Sequence, residues 1–79
     1  MKKDNLIKLD KIFNLILELE DAIELEKLDQ KNYSKWDSLA QVNLIVAIES
    51  EFSIAIDIAK YEKFTSYKAI KNLLEEFKL

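Results

Sequence analysis

An all-α bundle of three principal helices and one short one is the fold class that the sequence predicts, and three observations carry the prediction. The 79 residues include neither glycine nor proline, the residues that most readily supply tight turns and open hairpins. Apolar residues recur at three- and four-residue spacing in three separate stretches. Good helix-capping residues, Asp4, Asp37, Asp57 and Ser66, stand where those stretches and one shorter turn would begin.

In the first stretch, Leu6, Leu9, Ile12, Phe13, Ile16 and Leu17 fall on one side of a helix, with Asp4 or Asn5 as its N-cap. From Glu18 to Trp36 the periodicity dissolves, and Ile23, Leu25, Leu28, Tyr33 and Trp36 are scattered among charges. This reads as a long, partly ordered loop, its first residues open to an extension of the helix before it. Its clustered carboxylates, Glu18, Glu20, Asp21, Glu24 and Glu26, lack the spacing of a calcium-binding loop and read as a solvated segment, so no metal site is expected. The second helix starts at Asp37 or Ser38 and runs to about Phe52. Asp57 is a suitable cap for a short helical turn through Tyr61. The last helix follows Ser66, and its Ile70, Leu73, Leu74 and Phe77 match the i, i+3, i+4, i+7 template. One core is therefore expected to contain Leu44, Ile48, Phe52, Ile70, Leu73 and Leu74.

Size and charge bound the function. A chain of 79 residues is read as one domain, residues 1–79, near the lower limit for a self-sufficient core. Apolar residues at 49% against 34% charged describe a globular composition. Without cysteine there is neither a disulfide nor a thiolate metal site. The N-terminal stretch "MKKDNLIKLDKIF" interrupts its apolar run with Lys8, Asp10 and Lys11, so no cleavable signal or membrane span is expected and the protein is read as cytoplasmic. A net charge of −3 with no basic cluster argues against nucleic acid and favours basic protein partners.

The second helix carries most of the functional information. At about 100° per residue, Leu44, Ile45, Ile48 and Phe52 share an arc wide enough to be the core face. Leu39, Val42 and Val46 lie off that arc and form a second apolar stripe. Two readings of the stripe stand at this point: an exposed docking patch, or a surface covered by the preceding loop through Trp36, Tyr33 or Leu28. At the start of the helix Asp37, Ser38 and Leu39 form a polar-to-apolar triplet. Asp37 or Ser38 can cap the helix by accepting a hydrogen bond from an otherwise unpaired N–H. A helix N-terminus also favours any anionic group attached there. Ser38 is a poor nucleophile candidate, because that role needs a general base and the chain has no histidine.

Asp37, Ser38 and Leu39, followed by "AQVNLIVAIESEFSIAI", resemble the Asp-Ser-Leu attachment motif and recognition helix of acyl carrier proteins. The resemblance runs without a gap from Asp37 to about Phe77, through "IESEF" and the "EKFTSYKAI" entry to the last helix, and is looser over residues 5–36. It implies a four-helix bundle of the acyl-carrier kind. In it, Ser38 is esterified to 4′-phosphopantetheine by a separate phosphopantetheinyl transferase that uses coenzyme A and Mg²⁺, and the arm's thiol holds acyl or aminoacyl groups. The resemblance makes Asp37 the acidic neighbour of the attachment site, a N-cap that also helps hold the transferase's Mg²⁺. Leu39, Val42, Val46 and Glu49 become contacts for the transferase and for acyl- or aminoacyl-loading and acyl-transfer enzymes. The carrier is then no enzyme itself, since the reactive sulfur belongs to the cofactor; it is expected to be a monomer.

Several residues depart from the family's pattern. Lys35 stands three residues before the serine, where glycine is common. Asn43 and Ser50 replace residues that are often acidic in fatty-acid carriers, leaving Glu49, Glu51, Asp57 and Glu62 as the acidic face. With Trp36 ahead of the motif, the wording is closer to specialised carriers of polysaccharide, natural-product or aminoacyl pathways. The competing reading from another class is a small helical adaptor without a prosthetic group, in which the triplet only caps the helix and the second stripe meets a partner helix. A stand-alone enzyme ranks third, because so short a chain can hardly enclose a pocket of convergent titratable groups.

Overall fold

The computed structural model describes residues 1–20 and 23–79, and among them the chain is helical. Helix α1 spans Lys3–Leu17, α2 Ser38–Phe52 and α3 Tyr67–Glu76; short 3₁₀ turns occupy Leu25–Lys27 and Ile58–Lys63. The all-α expectation holds. Its only extended pairing among the described residues is a single antiparallel bridge between Asp29 and Ser66.

Helix α1 forms because Leu9, Phe13 and Leu17 recur every fourth residue and are all buried, with Leu6, Ile12 and Ile16 packed at their margins. Its start differs from the expected cap. Neither Asp4 nor Asn5 caps it; Lys2 holds that position without a side-chain cap, and Asp4 lies in the first turn. The C-terminus supplies the missing order. The Leu79 carbonyl accepts the Lys2 N–H at 2.8 Å and the Asn5 side-chain amide at 3.0 Å. A capping side chain beside a helix start is legible in sequence; the Leu79 carbonyl, distant in sequence, is not.

Helix ends must be turned without glycine, and α1 and α2 end on Glu18 and Ser53 in the left-handed region, at φ 50° and 53°. For residues with a Cβ that conformation costs about 1–2 kcal/mol each. At α2 the cap is held by the Ser53 N–H donating to the Glu49 carbonyl.

The segment between α1 and α2 is more ordered than its scattered charges suggest, because its apolar residues are anchors. Leu28 and Trp36 are buried in the core. The Gln30 N–H donates to the Thr65 carbonyl at 2.8 Å and the Tyr67 N–H to the Leu28 carbonyl at 3.0 Å, which ties the loop to the start of α3. On the surface, Lys27 pairs with Glu24, and Lys71 of α3 pairs with Glu26 at 2.9 Å. Asp21, counted in the carboxylate cluster, lies outside the described residues.

The core sits where the three helices meet. Phe13 stands edge-on to both Trp36 and Tyr67, with ring centroids 5.5 and 5.2 Å apart. The Tyr67 hydroxyl donates to Asp10 at 2.7 Å. Burial and that hydrogen bond push the phenol above its ordinary value. Of the expected core, Leu44, Ile48, Ile70 and Leu74 are fully buried, whereas Phe52 and Leu73 pack at its margin. Phe77, the last member of the α3 stripe, is 43% exposed: it is the C-cap, beyond the final helical residue Glu76.

Candidate functional site

Asp37 starts α2. Its backbone is extended, its Oδ1 accepts the Ala40 N–H at 2.8 Å, and its carbonyl accepts the Gln41 N–H at 2.9 Å. Sequence left the cap open between Asp37 and Ser38; geometry assigns it to Asp37. Ser38 is thereby the first helical residue, exposed to solvent, with Leu39 exposed beside it.

Buried anchors on both sides explain why this triplet stands out. Trp36 is only 1% exposed and Ala40 and Gln41 are buried, so the chain is gripped immediately before and after residues 37–39. The grip is polar as well as apolar. The Trp36 indole N–H donates to Gln41 Oε1 at 2.6 Å, and Gln41 Nε2 donates to the carbonyls of Tyr61 at 2.9 Å and Phe64 at 2.8 Å. Gln41 escaped the reading of the sequence, although a signal was present. It precedes Leu44, Ile45 and Ile48 by three, four and seven residues and so continues the core arc by one turn.

The two faces of α2 are unequal in the way the arc implied. Leu44, Ile45 and Ile48 are wholly buried, whereas Leu39, Val42 and Val46 are 69%, 45% and 55% exposed. The loop does not cover the second stripe. Leu28 and Trp36 point into the core instead, and Tyr33 directs its hydroxyl to the Leu17 carbonyl at 3.3 Å.

Glu49 differs in kind from these three. It is half-buried, and its Oε2 accepts the Ile56 N–H at 2.9 Å, which braces the link from α2 to the second 3₁₀ turn. Partial burial and the nearby Glu49 charge raise the Tyr61 phenol above its ordinary value. Glu51, Asp57 and Glu62 are exposed, and Asp57 caps its 3₁₀ turn through the Ala59 N–H at 3.0 Å. Lys35, Asn43 and Ser50 are exposed too.

Comparisons with protein-family models, curated proteins and solved structures give no match. The chemistry of the site therefore rests on its own residues. An exposed hydroxyl stands at the positive end of a helix, with the capping role already filled by a neighbour and an uncovered apolar stripe running away from it. Such an arrangement offers an acceptor for a modifying enzyme and a surface on which to be recognised. Among the described residues no cluster of three histidine, cysteine, aspartate or glutamate side chains is placed to hold a metal ion. No helix of the described residues is long and apolar enough to cross a membrane.

Proposed function

We propose that the protein is an acyl carrier of the phosphopantetheine-bearing family and that Ser38 is its attachment residue. One observation carries the reading: Asp37 caps α2, so the Ser38 hydroxyl is exposed and has no structural duty. The residues present fit a phosphodiester there. The N-terminus of a 15-residue helix complements its charge, and esterifying Ser38 leaves the Asp37–Ala40 cap in place. Bound on Ser38, the arm would supply a thiol that holds acyl or aminoacyl groups as thioesters. The chain's own residues bind and orient: Trp36 and Gln41 fix the entry to α2, Asp37 sets its first turn, and Leu39, Val42 and Val46 offer partners an apolar surface.

On this reading the partners are a phosphopantetheinyl transferase, with coenzyme A and Mg²⁺, and the enzymes that load and relieve the arm. On the same reading Asp37, which caps the helix, also helps hold the transferase's Mg²⁺. The fold is then a carrier bundle in which the second 3₁₀ turn stands for the short helix, working as a monomer in the cytoplasm. The thin acidic face, with Glu49 engaged by Ile56, favours a specialised pathway over fatty-acid synthesis. Co-expression with a promiscuous phosphopantetheinyl transferase tests the proposal. Intact-mass measurement is expected to find the protein heavier by one phosphopantetheine, and a protein of unchanged mass would favour the helical adaptor.

A further inference from the structure

The start of α2 is open on its outer side and closed on its inner side. One turn after Ser38, the Gln41 side chain is 7% exposed, and it belongs to a set of described residues in which no buried side-chain polar atom lacks a partner. Its three hydrogen bonds strap two separate pieces of chain together. Oε1 holds the Trp36 indole N–H at 2.6 Å, while Nε2 holds the Tyr61 and Phe64 carbonyls, at the end of the second 3₁₀ turn, at 2.9 and 2.8 Å. Behind the strap, Trp36, Leu44 and Ile48 are at most 1% exposed.

We infer that a group carried on Ser38 stays outside the bundle, an aliphatic chain of octanoyl length included; this inference rests on the carrier reading above. The inward path from Ser38 between α2 and residues 61–64 runs past Gln41. An aliphatic chain taking that path separates Gln41 Nε2 from both of its acceptors. It leaves a desolvated amide and two carbonyls facing hydrocarbon, which no methylene can satisfy. Room for the chain would also require repacking side chains that are already closely packed. A chain left outside meets neither obstacle, and the exposed Leu39, Val42 and Val46 stripe beside Ser38 offers it apolar surface.

The test uses the full chain loaded with acetyl, alanyl or octanoyl phosphopantetheine from the corresponding coenzyme A thioesters by a promiscuous transferase. Intact mass verifies each loading. Thermal melts and ¹H–¹⁵N spectra then follow the Trp36 indole and the Gln41 side-chain amide. All three forms are expected to melt together, with both signals at the same positions. An octanoyl form that melts higher than the acetyl form, or that moves the Trp36 indole and Gln41 amide signals, would overturn the inference while leaving the carrier reading intact. No mass gain from any of the three thioesters would overturn the carrier reading, and the inference with it.

Discussion

Two adjacent residues of α2, Ile45 and Val46, are of nearly the same chemistry and have opposite fates. Ile45 is wholly buried in the common core, whereas Val46 is 55% exposed. The same contrast runs along the helix, from Gln41 and Leu44 on the inner face to Leu39 and Val42 on the outer. A helix apolar on both faces in a small domain has more hydrophobic surface than its core can use. The surplus lies exposed beside the Ser38 hydroxyl at the helix start, and it is the location, rather than the residue type, that supports the proposed docking role.

Breaking the inner face should have the largest effect. Ile45→Glu places an unpaired charge in the core at a cost of several kcal/mol, enough to unfold a domain whose whole stability is roughly 4–12 kcal/mol. Val46→Glu, one residue on, should change stability by no more than about 0.5 kcal/mol and weaken only the transfer of cargo to partner enzymes. Paired thermal melts check both, and a Val46→Glu protein that unfolds would refute the exposed-stripe account. Next in size is Gln41→Leu, which strips the Trp36 indole and the Tyr61 and Phe64 carbonyls of their partner. A loss of about 1–3 kcal/mol in urea unfolding is expected.

At the helix start the contrast sharpens between neighbours. Asp37→Ala should cost roughly 0.5–2 kcal/mol as a lost N-cap, while Ser38→Ala should cost less than about 0.5 kcal/mol. Equal losses would mean that the capping role is shared. A smaller, pH-dependent loss than those on the inner face of α2 is expected at Tyr67. Its phenol is held protonated in the fold above its ordinary value of 10.0, so the folded chain keeps a proton that the unfolded chain releases. The stability this group contributes is complete below pH 10 and declines as the pH rises through the folded value. Tyr67→Phe should therefore lower stability by about 1 kcal/mol at neutral pH and flatten the alkaline decline, read from melts across a pH series.

Local signals were legible and distant ones were not. Asp37, Asp57 and Ser66 cap the elements they precede, because the side chain of each reaches an N–H two or three residues on. The extent of α2 and the buried pair Ile70 and Leu74 follow from periodicity alone. The start of α1 is not legible in local sequence, since its order comes from Leu79, nor is the weight of Trp36, whose partners, Phe13 and Gln41, converge on it only in the fold. The openness of Leu39, Val42 and Val46 could not be settled from pattern, because it depends on where Leu28 and Trp36 go. Glu49 shares a helix with those residues, yet its carboxylate serves Ile56, a choice set by the turn after α2 rather than by the helix itself.

The most direct measurement of the account is peptide-level mass mapping of wild-type and Ser38→Ala protein after incubation with coenzyme A, Mg²⁺ and a phosphopantetheinyl transferase. Circular dichroism alongside verifies that both proteins are folded. The account predicts that the wild type acquires the phosphopantetheine group on the peptide containing Ser38, and that folded Ser38→Ala acquires none. A wild type that stays unmodified, or a Ser38→Ala protein modified at another residue, would contradict the carrier function or its site.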